Sequence, residues 1–287
     1  MQISGEIEFM IKPVLQDDAF LEDVFRAKRT LKRLHLWWLG QSGFLIQWQG
    51  RHLLIDPYLS DSLTKKYEET NNPHVRMTER VIAPERLDFV DVVTSSHNHT
   101  DHLDGETLIP LLKVNLNLIV LVSRANINFA AERLQVPVER LTAIRVDEKV
   151  EVEPFVFYAI PSAHEALEKD GNDDHRFIGL IIQIGKWTIY HSGDCVLYDG
   201  LAERLKKWKI DIALLPINGH DPLRSVAGNF TGQEAVHLAK AVEARLVIPC
   251  HYEMFEFNTA SPQIFVQTAV DEGQAYQLLK CGERFSL

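Results

Sequence analysis

The sequence predicts an α/β protein in which two mixed β-sheets lie face to face with helices on their outer sides. Three observations carry that prediction. Segments of β period alternate with segments of helical period along the chain. These segments fall into two similar sets of strands and helices, and two such sets bury their apolar surfaces best against each other. Histidines and aspartates stand just past the ends of strands in both sets, which brings ligands from both halves to one edge.

The elements follow in order. Residues 16–30 mix acidic, basic and apolar side chains, with Phe20, Leu21, Val24 and Phe25 at helical spacing, and predict an amphipathic helix packed on the edge of the sandwich. The first set has strand-like runs at 34–39, 44–47, 52–55, 90–94 and 118–122, then a helix near 125–134. Between them, 60–84 has no clear period and carries Lys65, Lys66, Tyr67, Asn71, Asn72, Pro73, His74, Arg76 and Arg80. Long irregular segments in compact domains are usually functional or mobile. The segment reads either as a lid, with His74 or Arg76 touching substrate, or as a solvated excursion. The second set has strands at 150–152, 155–160, 178–184 and 187–191, a helix at 201–207, a strand at 212–215, a helix at 232–242 and a strand at 246–248. No repeat or low-complexity tract interrupts them.

Composition narrows the function classes. The 287 residues are 46% hydrophobic, enough to bury a large core in a single catalytic domain spanning 1–287. A formal charge of −10 disfavours unaided nucleic-acid binding, which needs a basic surface. Three scattered cysteines, Cys195, Cys250 and Cys281, form no C-x-x-C pair and fit a reducing compartment, so a cytoplasmic location is expected. Cys195 and Cys250 adjoin candidate ligands but read as small buried hydrophobes. No basic region followed by an apolar stretch opens the chain, and no window approaches the ~20 apolar residues that span a bilayer, so neither export nor membrane insertion is expected. The expected partner is a small-molecule substrate, and a homo-oligomer is an assembly open to the chain.

The chemistry is concentrated in Ser96-His97-Asn98-His99-Thr100-Asp101-His102, which follows an apolar β-branched run. In an extended segment alternate side chains share a side, so His97 and His99 can serve one ion while Asp101 and His102 face a second. Imidazole and carboxylate ligands suit zinc, manganese or iron, and no cysteine lies nearby to make a thiolate structural site. Further ligand candidates follow later strands: His164 after 155–160, Asp194 in a glycine-containing turn after 187–191 and placed to bridge both ions, and His251 after 246–248.

This pattern resembles the metallo-β-lactamase superfamily, whose His-x-His-x-Asp-His, His, Asp, His order is filled here at all seven positions. The resemblance implies a four-layered αββα sandwich. It implies two divalent metal ions, one held by His97, His99 and His164, the other by Asp101, His102 and His251, with Asp194 bridging. It extends over most of the chain, because Leu36-Trp37-Trp38-Leu39-Gly40-Gln41-Ser42-Gly43-Phe44 is similar to the family's first strands and Leu54-Ile55-Asp56-Pro57 to its early Asp turn. Trp37-Trp38-Leu39-Gly40, Tyr190-His191-Ser192-Gly193-Asp194 and Val247-Ile248-Pro249-Cys250-His251 are most similar to the ascorbate-6-phosphate lactonase-like branch.

The resulting expectation is a binuclear hydrolase, with hydroxide as nucleophile, acting on a small polar metabolite such as a sugar-acid lactone or its phosphate. Two ions take over the task of an oxyanion hole. Should the second metal site be only partly occupied, Asp101 is the candidate for handling the proton of the attacking water; Ser96 and Ser192 are candidates for orienting ligands. Outside the metals, His175 and Arg176 read as an anion-binding pair or as part of a polar hairpin turn. His220, in the loop of Asn218, Gly219, His220 and Asp221, reads as a donor to the reacting group. The alternative class is a phosphodiesterase of the N-acyl-ethanolamine phospholipase-like type, which needs an apolar groove for a lipid head group. A third, non-hydrolytic class, iron redox chemistry or a structural metal protein, fits less well with a full ligand set and no flavin partner domain.

Overall fold

The computed structural model describes residues 10–220 and 228–287, so Asp221 and the first nine residues lie outside the described residues. The chain opens with α1 (Asp17–Ala27), followed by β1 (His35–Gly40), β2 (Gly43–Trp48), β3 (Arg51–Ile55), α2 (Ser62–Tyr67), β4 (Val92–Ser95), α3 (Gly105–Val114), β5 (Ile119–Ser123), α4 (Ile127–Leu134) and β6 (Leu141–Ile144). The second half holds β7 (Lys149–Val152), β8 (Phe155–Pro161), β9 (Ile178–Ile184), β10 (Trp187–His191), α5 (Leu201–Leu205), β11 (Ile212–Pro216), α6 (Gly232–Ala241), β12 (Val247–Cys250), α7 (Gln263–Glu272) and β13 (Arg284–Ser286).

The strands form two mixed sheets. One is seven-stranded in the order β13-β1-β2-β3-β4-β5-β6, the other six-stranded in the order β12-β11-β10-β9-β8-β7. In the first, β1, β2 and β3 form antiparallel hairpins while β3 through β6 run parallel. The second has antiparallel β7 through β10 and parallel β10, β11 and β12. Every residue of β1, β2, β4 and β11 is buried, as expected for strands covered on both faces. One apolar core joins the two sheets, from Leu45, Ile55 and Val93 on one side to Ile182, Ile189 and Leu214 on the other. This is the sandwich that the two sets of elements predicted.

The amphipathic α1 buries Phe20, Val24 and Ala27. It is pinned to the first sheet by Trp37 Nε1 donating to Asp23 Oδ2 at 3.0 Å and Gln47 Nε2 donating to the carbonyl of Val24 at 3.3 Å. The segment 60–84 is less irregular than its sequence. Residues 62–67 form α2, Thr64 Oγ1 donates to the carbonyl of His74 at 2.8 Å, and Arg76 Nη1 donates to the carbonyl of Ser60 at 2.5 Å. Besides α2, four elements have no counterpart in the sequence reading. α3 was hidden by the internal Pro110 and is started by Asp104, whose side chain accepts from the amide of Glu106. α7 packs on α6, with no Cβ possible at Gly232 because the amide nitrogen of Phe265 would stand 2.9 Å from it. The short β6 and β13 exist through their partners β5 and β1 rather than through any period of their own.

Two features close the sandwich at one edge. The amide of Ile178 donates to the carbonyl of Ser96 at 3.1 Å, joining the two halves of the chain. Gly193, with φ at +59°, sits so close to Ser96 that a Cβ would lie 2.7 Å from the serine Cβ. The strand ends that carry the polar residues therefore meet face to face.

Candidate metal centre

Each polar side chain at this edge is delivered by a strand end. Gln41 lies in the β1–β2 turn, Asp56 follows β3, residues 96–102 follow β4, His164 follows β8, Asp194 follows β10 and His251 follows β12. Gln41, Asp56 and His251 adopt left-handed backbone conformations, with φ of 49°, 40° and 62°. Such conformations in non-glycine residues concentrate where geometry is constrained by function.

The structure brings together all seven residues that the sequence marked as ligands, in two groups sharing Asp194. His97, His99, His164 and Asp194 form one, and Asp101, His102, His251 and Asp194 the other. The two oxygens of Asp194 divide between them. Oδ2 lies 4.0 Å from Nε2 of His97 and 4.0 Å from Nε2 of His164. Oδ1 lies 3.2 Å from Nε2 of His102 and 3.5 Å from Nε2 of His251, while Asp101 Oδ2 lies 3.5 Å from both those ring nitrogens. Four ligands about 2.1 Å from one ion at tetrahedral angles stand about 3.4 Å apart. The four imidazole–carboxylate separations of the second group, 3.2 to 3.5 Å, are of that size, and the two of the first group, 4.0 Å each, are wider.

Burial makes these atoms costly unless something binds them. His97 Nε2, His102 Nε2 and Asp194 Oδ1 are buried without a hydrogen-bond partner. Desolvation holds His97 well below its ordinary pKa and lowers His99, keeping both rings neutral, the form in which imidazole is a ligand. Burial also opposes charge on His102 and His251, but the carboxylates of Asp194 and Asp101 outweigh it. His102 is pushed up and His251 reaches about 9. Burial likewise works against ionised Asp101 and Asp194, and the facing imidazoles hold both below the usual carboxylate range. Negative charge strong enough to hold protons on these rings will hold a divalent cation in exchange, so the residues present fit metal ions.

A supporting layer orients the ligands. Asp56 is fully buried, accepting from His102 Nδ1 at 2.7 Å, from the amide of Ser96 at 3.0 Å and from the hydroxyl of Ser96. This carboxylate fixes which face of His102 points at the site. Ser96 Oγ also lies 3.0 Å from Nδ1 of His97. Ser192 instead donates to the carbonyl of Gly193 at 2.7 Å. Gln41 Nε2 donates to Asp101 Oδ2 at 2.8 Å and lies 3.0 Å from His251 Nε2. Phe177 is a common platform, its ring 5.0, 5.7 and 5.2 Å from those of His97, His99 and His164. Gly228 lies flat on His164, where a Cβ would come within 2.6 Å of the ring. Gln41 and Asp56 stand in sequence motifs noted above, at strand ends like the ligands, but no role was read for them. Phe177 and Gly228 carried no signal.

Four of the ligands, His99, Asp101, His164 and Asp194, line a cavity of about 370 Å³. Lys66, Arg133, Asn72, Asn98 and Asn258 give it a polar, cationic wall, and Tyr67, His74, Phe255 and Phe257, with Leu63, an aromatic and apolar one. His74 stacks on Tyr67 at 4.1 Å and meets Phe257 at 4.3 Å, so the segment 60–84 forms part of the wall. Arg133 Nη1 donates to the carbonyls of Asn98 at 2.7 Å and Leu103 at 3.2 Å, bracing the ligand loop. His175, Arg176 and His220 are not in the described lining. His175 and Arg176 belong to a backbone-paired turn, where Ser123 and Asn126 bond their carbonyls. The exposed His220 lies with Nδ1 3.2 Å from the carbonyl of Asn229. Burial raises the Cys195 thiol to about 12 and pushes Cys250 well up, so neither forms a thiolate nucleophile near neutrality.

Comparison with known proteins agrees with this geometry. Residues 35–251 match the family model described as the beta-lactamase superfamily domain. A UPF0173 metal-dependent hydrolase of Hyperthermus butylicus is 30% identical over 79% of this chain and 86% of its own. One of Metallosphaera sedula is 27% identical over 87% and 98%. The probable L-ascorbate-6-phosphate lactonase UlaG of Escherichia coli is 23% identical over 79% and 72%. Among solved structures, the metallo-beta-lactamase fold protein YhfI of Bacillus subtilis superposes with a TM-score of 0.65 at 19% identity, covering 89% of this chain and 99% of that one. Isothiocyanate hydrolase from Delia radicum gut bacteria gives 0.68 at 17% identity over 88% and 98%. These two likenesses concern the fold.

Proposed function

This chain belongs to the beta-lactamase superfamily and is a metal-dependent hydrolase of it, and from that premise we propose a two-metal hydrolase of a small polar, anionic metabolite, with a sugar-acid lactone or its phosphate as the substrate class. The observation that carries the reading is Asp194, which turns one oxygen to each of two ligand groups at the floor of one cavity.

His97, His99 and His164 would hold one ion, Asp101, His102 and His251 the other, with Asp194 between them. When bound, two divalent ions lower the pKa of a water towards neutrality and polarise the bond it attacks. The chain's own residues do the rest. Asp101 is both in the second ligand group and at the cavity wall, which suits it to take the proton of the attacking water. Asp56 keeps Nδ1 of His102 occupied, so that Nε2 alone faces the site. Lys66 and Arg133 lend the wall the positive charge that an anionic substrate needs. The similarity to UlaG supports the lactone class.

The test is a hydrolysis panel on metal-stripped protein reloaded with manganese, zinc or iron, comparing lactones and their phosphates with phosphodiesters and using His99→Ala as the blank. Lactone turnover that the blank lacks is the expected result. Phosphodiester turnover alone would replace this reading with the phosphodiesterase one.

A further inference from the structure

We propose that Gln41 is a member of the ligand set of the Asp101, His102, Asp194 and His251 site, contributing its side-chain oxygen to the cation there. The inference rests on the two-ion reading above and adds a residue type that the histidine and carboxylate motifs do not contain.

Three observations carry it. Gln41 is 1% exposed, in a turn held to the site by the amide of His251 donating to its backbone carbonyl at 2.9 Å. Its terminal nitrogen stands 2.8 Å from Asp101 Oδ2 and 3.0 Å from His251 Nε2, the two atoms that face the second ion. Its oxygen, Oε1, is buried and has no hydrogen-bond partner. A half-turn about the last side-chain bond exchanges the two ends of a carboxamide within one outline. Where the lone pairs of Asp101 Oδ2 face the amide, nitrogen is the end that fits. With those lone pairs directed at a cation, the oxygen is the end that fits, and the orphaned Oε1 gains a partner.

The spacing suits this role. Ligand atoms at right angles about an ion ~2.1 Å away stand about 3.0 Å apart. The 2.8 and 3.0 Å separations are of that size, whereas the four charged and imidazole ligands have the wider tetrahedral spacing. Gln41 would thus join the four residues that hold this ion. An amide oxygen is a hard ligand, so its presence tilts this site towards manganese over the softer cations that imidazole alone accepts.

The experiment uses the full chain stripped of metal and dialysed against graded manganese, with bound metal counted by mass spectrometry and the manganese pair followed by electron paramagnetic resonance. Wild type is expected to take two equivalents and to show an exchange-coupled pair. Gln41→Met keeps the volume without an oxygen, and is expected to weaken one of the two equivalents about tenfold or more, leaving the other unchanged and the spectrum that of a single ion. Gln41→Glu keeps an oxygen and is expected to retain both equivalents. Two equivalents of unaltered affinity in Gln41→Met would overturn the proposal, as would equal losses in Gln41→Met and Gln41→Glu. Should Gln41→Met not fold, Gln41→Asn, whose shorter arm withdraws the same amide from the site, carries the same comparison. Wild type saturating at one equivalent would overturn the two-ion reading itself, and this proposal with it.

Discussion

Replacing Asp56 by Asn tests whether the layer beneath the ligands sets the site. The carboxylate accepts three hydrogen bonds inside the protein, from His102 Nδ1, from the Ser96 hydroxyl and from the Ser96 amide. Asn keeps one oxygen. Whichever way its amide lies, an NH2 group meets at least one of these donors. Losing one hydrogen bond to a charged acceptor costs about 1.5–3 kcal/mol. The surviving bonds become neutral and weaker. A loss of about 2–4 kcal/mol is therefore expected, out of a total stability of about 5–15 kcal/mol. For a chain of this size it lowers Tm by roughly 5–10 °C. Releasing the His102 ring should also weaken metal binding about 10–100-fold. Thermal melting of metal-free wild type and Asp56→Asn by circular dichroism gives the first number, equilibrium dialysis the second. A variant that melts within about 1 °C of wild type and binds metal equally well would refute the reasoning.

Three further outcomes follow from the same geometry. Gly193→Ala should cost about 2 kcal/mol or more and impair metal retention, because its Cβ would strike Ser96 and its φ of +59° suits glycine; an unchanged melting curve would argue against a tight closure between the halves. In metal-free protein the raised pKa values of His102 and His251 supply stability that is present below about pH 6.5 and lost as pH rises through His251's value of about 9. An entering cation must displace these protons, so metal uptake should release protons and tighten between pH 6.5 and 9, which calorimetry in buffers of different ionisation enthalpy reads directly. No dependence on buffer would contradict it. Asp194→Ala should abolish turnover with metal supplied while the fold persists, and near wild-type activity would remove Asp194 from the mechanism.

The β4 loop shows why ligands were legible before the fold was known. A lone imidazole after a strand-like run reads as a hydrogen-bonded residue as readily as a ligand, but seven imidazoles and carboxylates after four such runs, in family order, are hard to read otherwise. Strands β8 to β10 were legible for a similar reason: 178–184 and 187–191 are apolar and β-branched, so local pattern and tertiary burial agree. α3 was not, because Pro110 contradicts a helix locally while Leu108 and Leu111 gain their burial only from packing. For His175 and Arg176 the sequence left an anion-binding pair and a polar hairpin turn open, and the structure places both in a turn whose carbonyls are bonded by Ser123 and Asn126, outside the described cavity lining.

By itself the sequence determined the two sets of strands, the apolar faces that stack them and the residue types that can bind metal, because all of these are local properties of period and side-chain chemistry. Only the tertiary structure decided which oxygen of Asp194 faces which group, that Asp56 sits beneath His102, that Gly193 and Gly228 make room for neighbours, and that Lys66 and Arg133 share a wall with Phe255. Those are distances between residues far apart in the chain. Local periodicity does not encode them; the packing of one sheet on the other does.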